Sequence, residues 1–153
     1  MRFEEEEMIL TQCNAYVDHA YTDFVVEVDA HFTPADKAED SPTLGIIFRM
    51  EGDNGGYEYQ VHFGGYVSCG RTGGRTIFAS QQSANPGTQT NHLLVIAKGP
   101  EITLFLNGEP LAHFSDPSSA RGNVGVFVKS NSSFWKAEGA FDNYRIWDIS
   151  DLP

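Results

Sequence analysis

The sequence predicts an all-β domain built as a sandwich or a barrel. Three observations carry this: apolar residues recur with a period of two, turn residues punctuate them at short intervals, and no window offers an amphipathic helix. At 153 residues the chain is long enough for one domain with a sizeable core. Fifteen Gly and seven Pro suit a fold with many turns better than a helical one.

Taken in order, residues 24–32 place Phe24, Val26, Val28, Ala30 and Phe32 on one face and Glu27, Asp29 and His31 on the other, as in a half-buried strand. Residues 57–63 repeat the pattern, with Tyr57, Tyr59, Val61 and Phe63 inward and Glu58, Gln60 and His62 outward. Ile102, Leu104 and Leu106 alternate with Glu101, Thr103 and Phe105, and Val124, Val126 and Val128 alternate around Gly125 and Phe127. The expected core therefore includes Phe24, Val26, Val28, Phe48, Tyr59, Leu104 and Val126. Asn107-Gly108 is the strongest hairpin signal, because both central residues must accept positive φ. Gly64-Gly65 joins two strand-like runs in the same way, and Gly99-Pro100 separates residues 93–98 from 101–106. Residues 34–42, 53–56 and 83–90 read as longer loops. The chain shows no internal repeat and reads as a single domain over 1–153.

Charge narrows the partners. Ten basic residues against twenty-one acidic ones give a net charge of −11, which opposes binding to phosphate backbones and anionic membranes. An acidic surface suits cations or neutral ligands such as sugars. The longest apolar run, residues 93–97, is far short of the roughly 20 residues of a membrane helix. The N-terminal MRFEEEEMIL lacks the basic and apolar regions of a signal peptide, so an excised domain is expected, with an extracellular or cell-surface location. Cys13 and Cys69 either pair or remain free, and neither belongs to a metal-type cluster.

Longer runs carry a family resemblance. Residues 23–29 (DFVVEVD), 45–49 (GIIFR) and 57–61 (YEYQV) are followed by 91–99 (NHLLVIAKG), 102–108 (ITLFLNG), 122–128 (GNVGVFV) and 141–147 (FDNYRIW). This order resembles concanavalin A-like lectin/glucanase domains, above all the bacterial 3-keto-disaccharide hydrolase-like and laminin G-like families. The resemblance covers residues 3–148 and implies an antiparallel two-sheet jelly-roll β-sandwich. It does not choose among lectins, binding modules and hydrolases, which share that fold.

Four candidate sites follow. If the strands carrying Glu27, Asp29 and His31, then Arg49, then Glu58, Gln60 and His62 lie in one sheet, these side chains share a polar face apt for sugar hydroxyls. Arg49 follows Ile46 and Phe48 in alternation and is expected to point outward. The plain alternative is a solvated face without a ligand. Glu27 and Asp29, two residues apart on a strand, have a spacing compatible with glycosidase carboxylates. Laminarinase-type enzymes carry Glu-x-Asp-x-x-Glu, however, and Phe32 occupies the last place, which speaks against catalysis. The same resemblance makes Asp142, read as opening the last strand with Tyr144 and Ile146 in parity, the candidate ligand of a structural calcium, helped by residues 4–7. Its alternative is an Asp that merely starts a strand. Phe134 and Trp135 could stack on a sugar ring or pack in the core. The expected function is a non-catalytic carbohydrate-binding or adhesive module of a larger bacterial protein, with a glycan or protein partner. Sugar-directed hydrolysis and structural protein interaction are the alternatives.

Overall fold

Sequence alternation becomes alternation of burial. In the computed structural model, which describes residues 7–11, 13–16, 18–33, 42–52, 55–80, 83–130 and 137–153, the expected strand at Phe24–Phe32 buries every second residue. Among the described residues there are twelve strands and no helix. They are β1 (Met8–Thr11), β2 (Asn14–Tyr16), β3 (Phe24–Phe32), β4 (Thr43–Met50), β5 (Tyr57–His62) and β6 (Val67–Arg71). The remainder are β7 (Thr76–Ser80), β8 (Asn91–Lys98), β9 (Glu101–Leu106), β10 (Glu109–Ser115), β11 (Asn123–Lys129) and β12 (Glu138–Asp148).

The strands form two six-stranded antiparallel sheets, ordered β1-β12-β3-β8-β9-β10 and β2-β11-β4-β5-β6-β7. This is the expected jelly-roll sandwich. The meanders β4–β7 and β8–β10 each stay within one sheet, while the chain changes sheet at the other connections. Phe24, Val26, Val28, Phe48, Tyr59, Leu104 and Val126 are fully enclosed between the sheets, as alternation anticipates. Each such side chain contributes about 1.5–3 kcal/mol by leaving water. Asn107 and Gly108 take φ of 52° and 84° at the β9–β10 turn, the conformation that hairpin requires. Cys13 and Cys69 are both free, the first exposed and the second buried.

Arg49 departs from the alternation. It was expected outside, yet it is fully buried. The cause is a bulge: Met50 pairs with Asn123 and Ile47 with Gly125, so Phe48 and Arg49 together face Val124. Arg49 takes the left-handed φ of 53° and turns its guanidinium inward. A side chain on Gly122 would collide with the main chain of Arg49 and Met50, so only glycine fits opposite the bulge.

The guanidinium is a hub. Its Nη1 donates to the carbonyls of Gly99 at 2.7 Å and Ser119 at 3.2 Å, and its Nη2 to Thr22 at 2.6 Å. Asp23 Oδ1 stands 3.8 Å from Nη2 and accepts from the Gly99 amide at 2.9 Å. Three connections, before β3, between β8 and β9 and after β10, are thereby tied together at one end of the sandwich. Removing a buried charge from such a cage strands its partners. Arg49→Ala is therefore expected to lower the unfolding free energy by about 3–5 kcal/mol in urea denaturation; a loss below about 1 kcal/mol, the usual range of an exposed ion pair, would contradict this role.

Candidate functional site

The sheet assignment divides the polar residues that alternation had placed together. Glu27, Asp29 and His31 lie on β3 of the first sheet, whereas Glu58, Gln60 and His62 lie on β5 of the second. Period two fixes the face a residue occupies but not the sheet it joins. The expected common face is therefore two outer faces on opposite sides of the sandwich, with Arg49 on neither.

On the second sheet, cross-strand pairing sets out the outer face in rows. One runs Gly125, Ile47, Glu58, Gly70, and the next Phe127, Gly45, Gln60, Ser68. Beyond them Lys129, Thr43 and His62 complete the face. A Cβ at Gly45 would collide with the main-chain oxygen of Tyr59, so that position is bare by necessity. Ile47 and Phe127 in these rows are both 1% exposed, so the apolar middle of the face is covered and the polar groups around it carry its chemistry.

The polar groups of this face are connected. Lys129 Nζ donates to Glu58 Oε1 at 2.7 Å, and Gln60 Nε2 donates to the same oxygen at 3.2 Å. The Lys129 ammonium also stands 5.4 Å from the Phe127 ring centroid. His62 Nε2 and Ser68 Oγ are hydrogen-bonded at 3.3 Å. Burial, reinforced by the Lys129 charge, lowers the His62 pKa. Beneath the face, burial and then Glu58 push the Cys69 thiol up to about 12, so it stays protonated and inert at neutral pH.

The first sheet carries a different cluster. His92 on β8 lies between the two β3 carboxylates, with Nδ1 2.7 Å from Asp29 Oδ1 and Nε2 3.0 Å from Glu27 Oε1. Asn143 Nδ2 donates to Asp29 Oδ2 at 2.9 Å. The ring of His92 fills the space between the carboxylates that a glycosidic bond would need. Sequence reasoning missed His92, although the pairing of Asp29 with His92 places it there once β3 and β8 are known to be neighbours. Lys129, Ser68 and Asn143 were missed for the same reason.

Asp142 lies in the middle of β12, which begins at Glu138, rather than opening the strand. Its expected parity with Tyr144 and Ile146 is broken by a bulge between Asp142 and Arg145, where Asn143 takes φ of 55°. Asp142 Oδ1 accepts from the Asn143 amide at 2.8 Å. Among the described residues, no group of three or more His, Cys, Asp or Glu could hold a metal ion. Trp135, like Phe134 and Glu4–Glu6, lies outside the described residues.

Residues 6–146 match a domain family described as 3-keto-alpha-glucoside-1,2-lyase-like. No curated protein sequence matches the chain. Among solved structures, the carbohydrate-binding module CBM66 from Bacillus subtilis superposes with a TM-score of 0.71 at 16% identity, covering 90% of this chain and 94% of that one. A GH43 protein from Bacillus licheniformis gives 0.70 at 15% identity, over 93% of this chain and 33% of its own. The Aspergillus kawachii beta-fructofuranosidase gives 0.68 at 11% identity, over 99% of this chain and 28% of its own. At these identities the likeness concerns the fold.

The lowered pKa of His62 has a pH signature. The unfolded chain protonates this histidine near about 6.5, before the folded chain does, so folding stability is intact above that pH and falls as pH drops through it toward the lower folded value. Thermal melts between about pH 7 and 5 should show this acid slope, and His62→Gln should flatten it. An unchanged slope in the variant would place the titration elsewhere.

Proposed function

The chain belongs to the 3-keto-alpha-glucoside-1,2-lyase-like domain family, and from that premise we propose that it is a non-catalytic module binding a neutral glycan on the outer face of its second sheet. The observation that carries this is the connected set of Glu58, Gln60 and Lys129 on one outer face. A sugar presents hydroxyls at its rim and C–H groups on its faces. Glu58 accepts from hydroxyls, Lys129 donates and Gln60 does both. Lys129 already compensates the Glu58 charge, so the face favours a neutral ligand over an ionic one. The name of the CBM66 neighbour supports the ligand class, and those of the GH43 and fructofuranosidase neighbours accord with it.

A second reading, chemistry on a 3-keto glycoside, is favoured by the family description. On the first sheet the paired carboxylates are closed by His92, so Glu58 is the acid–base group such chemistry would use. One experiment separates the readings. On a glycan array the parent chain should bind neutral oligosaccharides, and Glu58→Ala should weaken binding roughly tenfold or more through loss of a charge-assisted hydrogen bond. Because Glu58 is only 15% exposed and its pair with Lys129 is partly buried, the variant should also melt lower, while its circular dichroism spectrum should remain that of the folded parent. Turnover of a 3-keto disaccharide that disappears in Glu58→Gln would replace the binding reading with the lyase one.

A further inference from the structure

At the end of the sandwich tied by Arg49 lies an open cleft of about 490 Å³, between the β6–β7 turn and the segment that follows β10. This volume falls within the about 300–1,000 Å³ typical of small-molecule sites. One wall is Arg75, Thr76 and Ile77, and the other Ser115, Asp116, Pro117 and Ser118. Its lining does not include Glu58, Gln60 or Lys129.

Asp116 makes the cleft more than a surface irregularity. The residue is only 5% exposed. Its amide donates to the Pro100 carbonyl at 2.8 Å, its carbonyl accepts from the Tyr57 hydroxyl at 3.3 Å, and its Oδ1 accepts from the Ser118 amide at 2.9 Å. Its Oδ2 is buried and has no hydrogen-bond partner. An unsatisfied carboxylate oxygen in a buried position costs free energy that a donor would recover. Burial works against ionisation of Asp116, but the donors Ser118 and Tyr57 and the charge of Arg71 outweigh it, so its pKa lies below the ordinary carboxylate value. At neutral pH Asp116 is an acceptor waiting for a donor.

The wall that carries Asp116 is held in place beforehand. Arg71 Nη1 donates to Ser119 Oγ at 2.6 Å and its guanidinium lies 4.9 Å from the Tyr57 ring centroid. Arg49 holds the Ser119 carbonyl from inside. Arg71 is thus committed to the wall, and Arg75 is the cation at the mouth of the cleft. The chemistry that results is one carboxylate acceptor, one guanidinium donor, the hydroxyls of Thr76, Ser115 and Ser118, and the apolar surfaces of Ile77 and Pro117. Asp116 and the net charge of −11 oppose an anion, and Arg75 opposes a cation. A neutral polyhydroxyl molecule satisfies all of these groups.

We propose that this cleft is a second saccharide site, taking a sugar whose adjacent hydroxyls donate to Asp116 and accept from Arg75. The ligand class rests on the glycan-binding reading, while the location does not. The test is an amide NMR titration of the whole chain with maltose, fructose and calcium chloride separately. Saturable shifts with a sugar at Ser115, Asp116, Ser118 and Ile77 are expected. Arg75→Ala, an exposed substitution that leaves the fold intact, should weaken that binding at least tenfold, and Asp116→Asn should do the same. Sugar-induced shifts confined to Glu58, Gln60, Ser68 and Lys129 would overturn the cleft and leave the face standing. Shifts at the cleft with calcium alone would make it a cation site and overturn the proposal, and no sugar-induced shift anywhere would remove both sites.

Discussion

The structure depends on one buried cation. Arg49 is enclosed without water contact and spends its two terminal nitrogens on the carbonyls of Thr22, Gly99 and Ser119. Burying a guanidinium is costly unless it is engaged; here both terminal nitrogens are engaged by the architecture itself, while Nε is buried without a partner. Those carbonyls belong to three connections that sequence distance keeps apart. The bulge that turns Arg49 inward needs a left-handed backbone, and Gly122 leaves room for it. Tyr57 and Arg71, on neighbouring strands, then carry the order outward to Asp116 and Ser119. One residue accordingly couples the sheets, an end of the sandwich and a cleft wall.

The two outer faces have been put to different uses. On the first sheet Glu27 and Asp29 are absorbed by His92 and Asn143, which leaves a closed polar cluster and no space between the carboxylates. On the second sheet Glu58 is held by Lys129 and Gln60, with no ring wedged between it and a second carboxylate. That contrast moves the candidate site away from the carboxylate pair most reminiscent of glycosidases. It centres instead on a residue whose neighbours are donors.

Much of the fold was legible in the sequence, because burial on one face of a strand writes itself as alternation. Phe24, Val26, Val28, Tyr59 and Leu104 were readable for that reason, as was the Asn107-Gly108 hairpin. The candidate site was legible only in part. Glu58, Gln60 and His62 do share an outer face, but alternation cannot say which sheet a strand joins, and Glu27 and Asp29 were grouped with them wrongly. Bulges caused the other departures. An Arg in left-handed conformation carries no local signature, so Arg49 gave no warning, and the bulge at Asn143 removed the parity assigned to Asp142. His92 was invisible until β8 was known to lie beside β3.

If Arg49 organises this end of the sandwich, its effect must be local. Amide hydrogen exchange, compared between the parent chain and Arg49→Lys, reads this directly. The amides of Tyr21, Gly99, Asp116 and Gly122 are bonded to groups that the guanidinium positions or adjoins. They should lose protection in the variant while Val26 and Val95, in the paired centre of β3 and β8, keep theirs. Equal protection at both sets of amides in the two proteins would contradict the account.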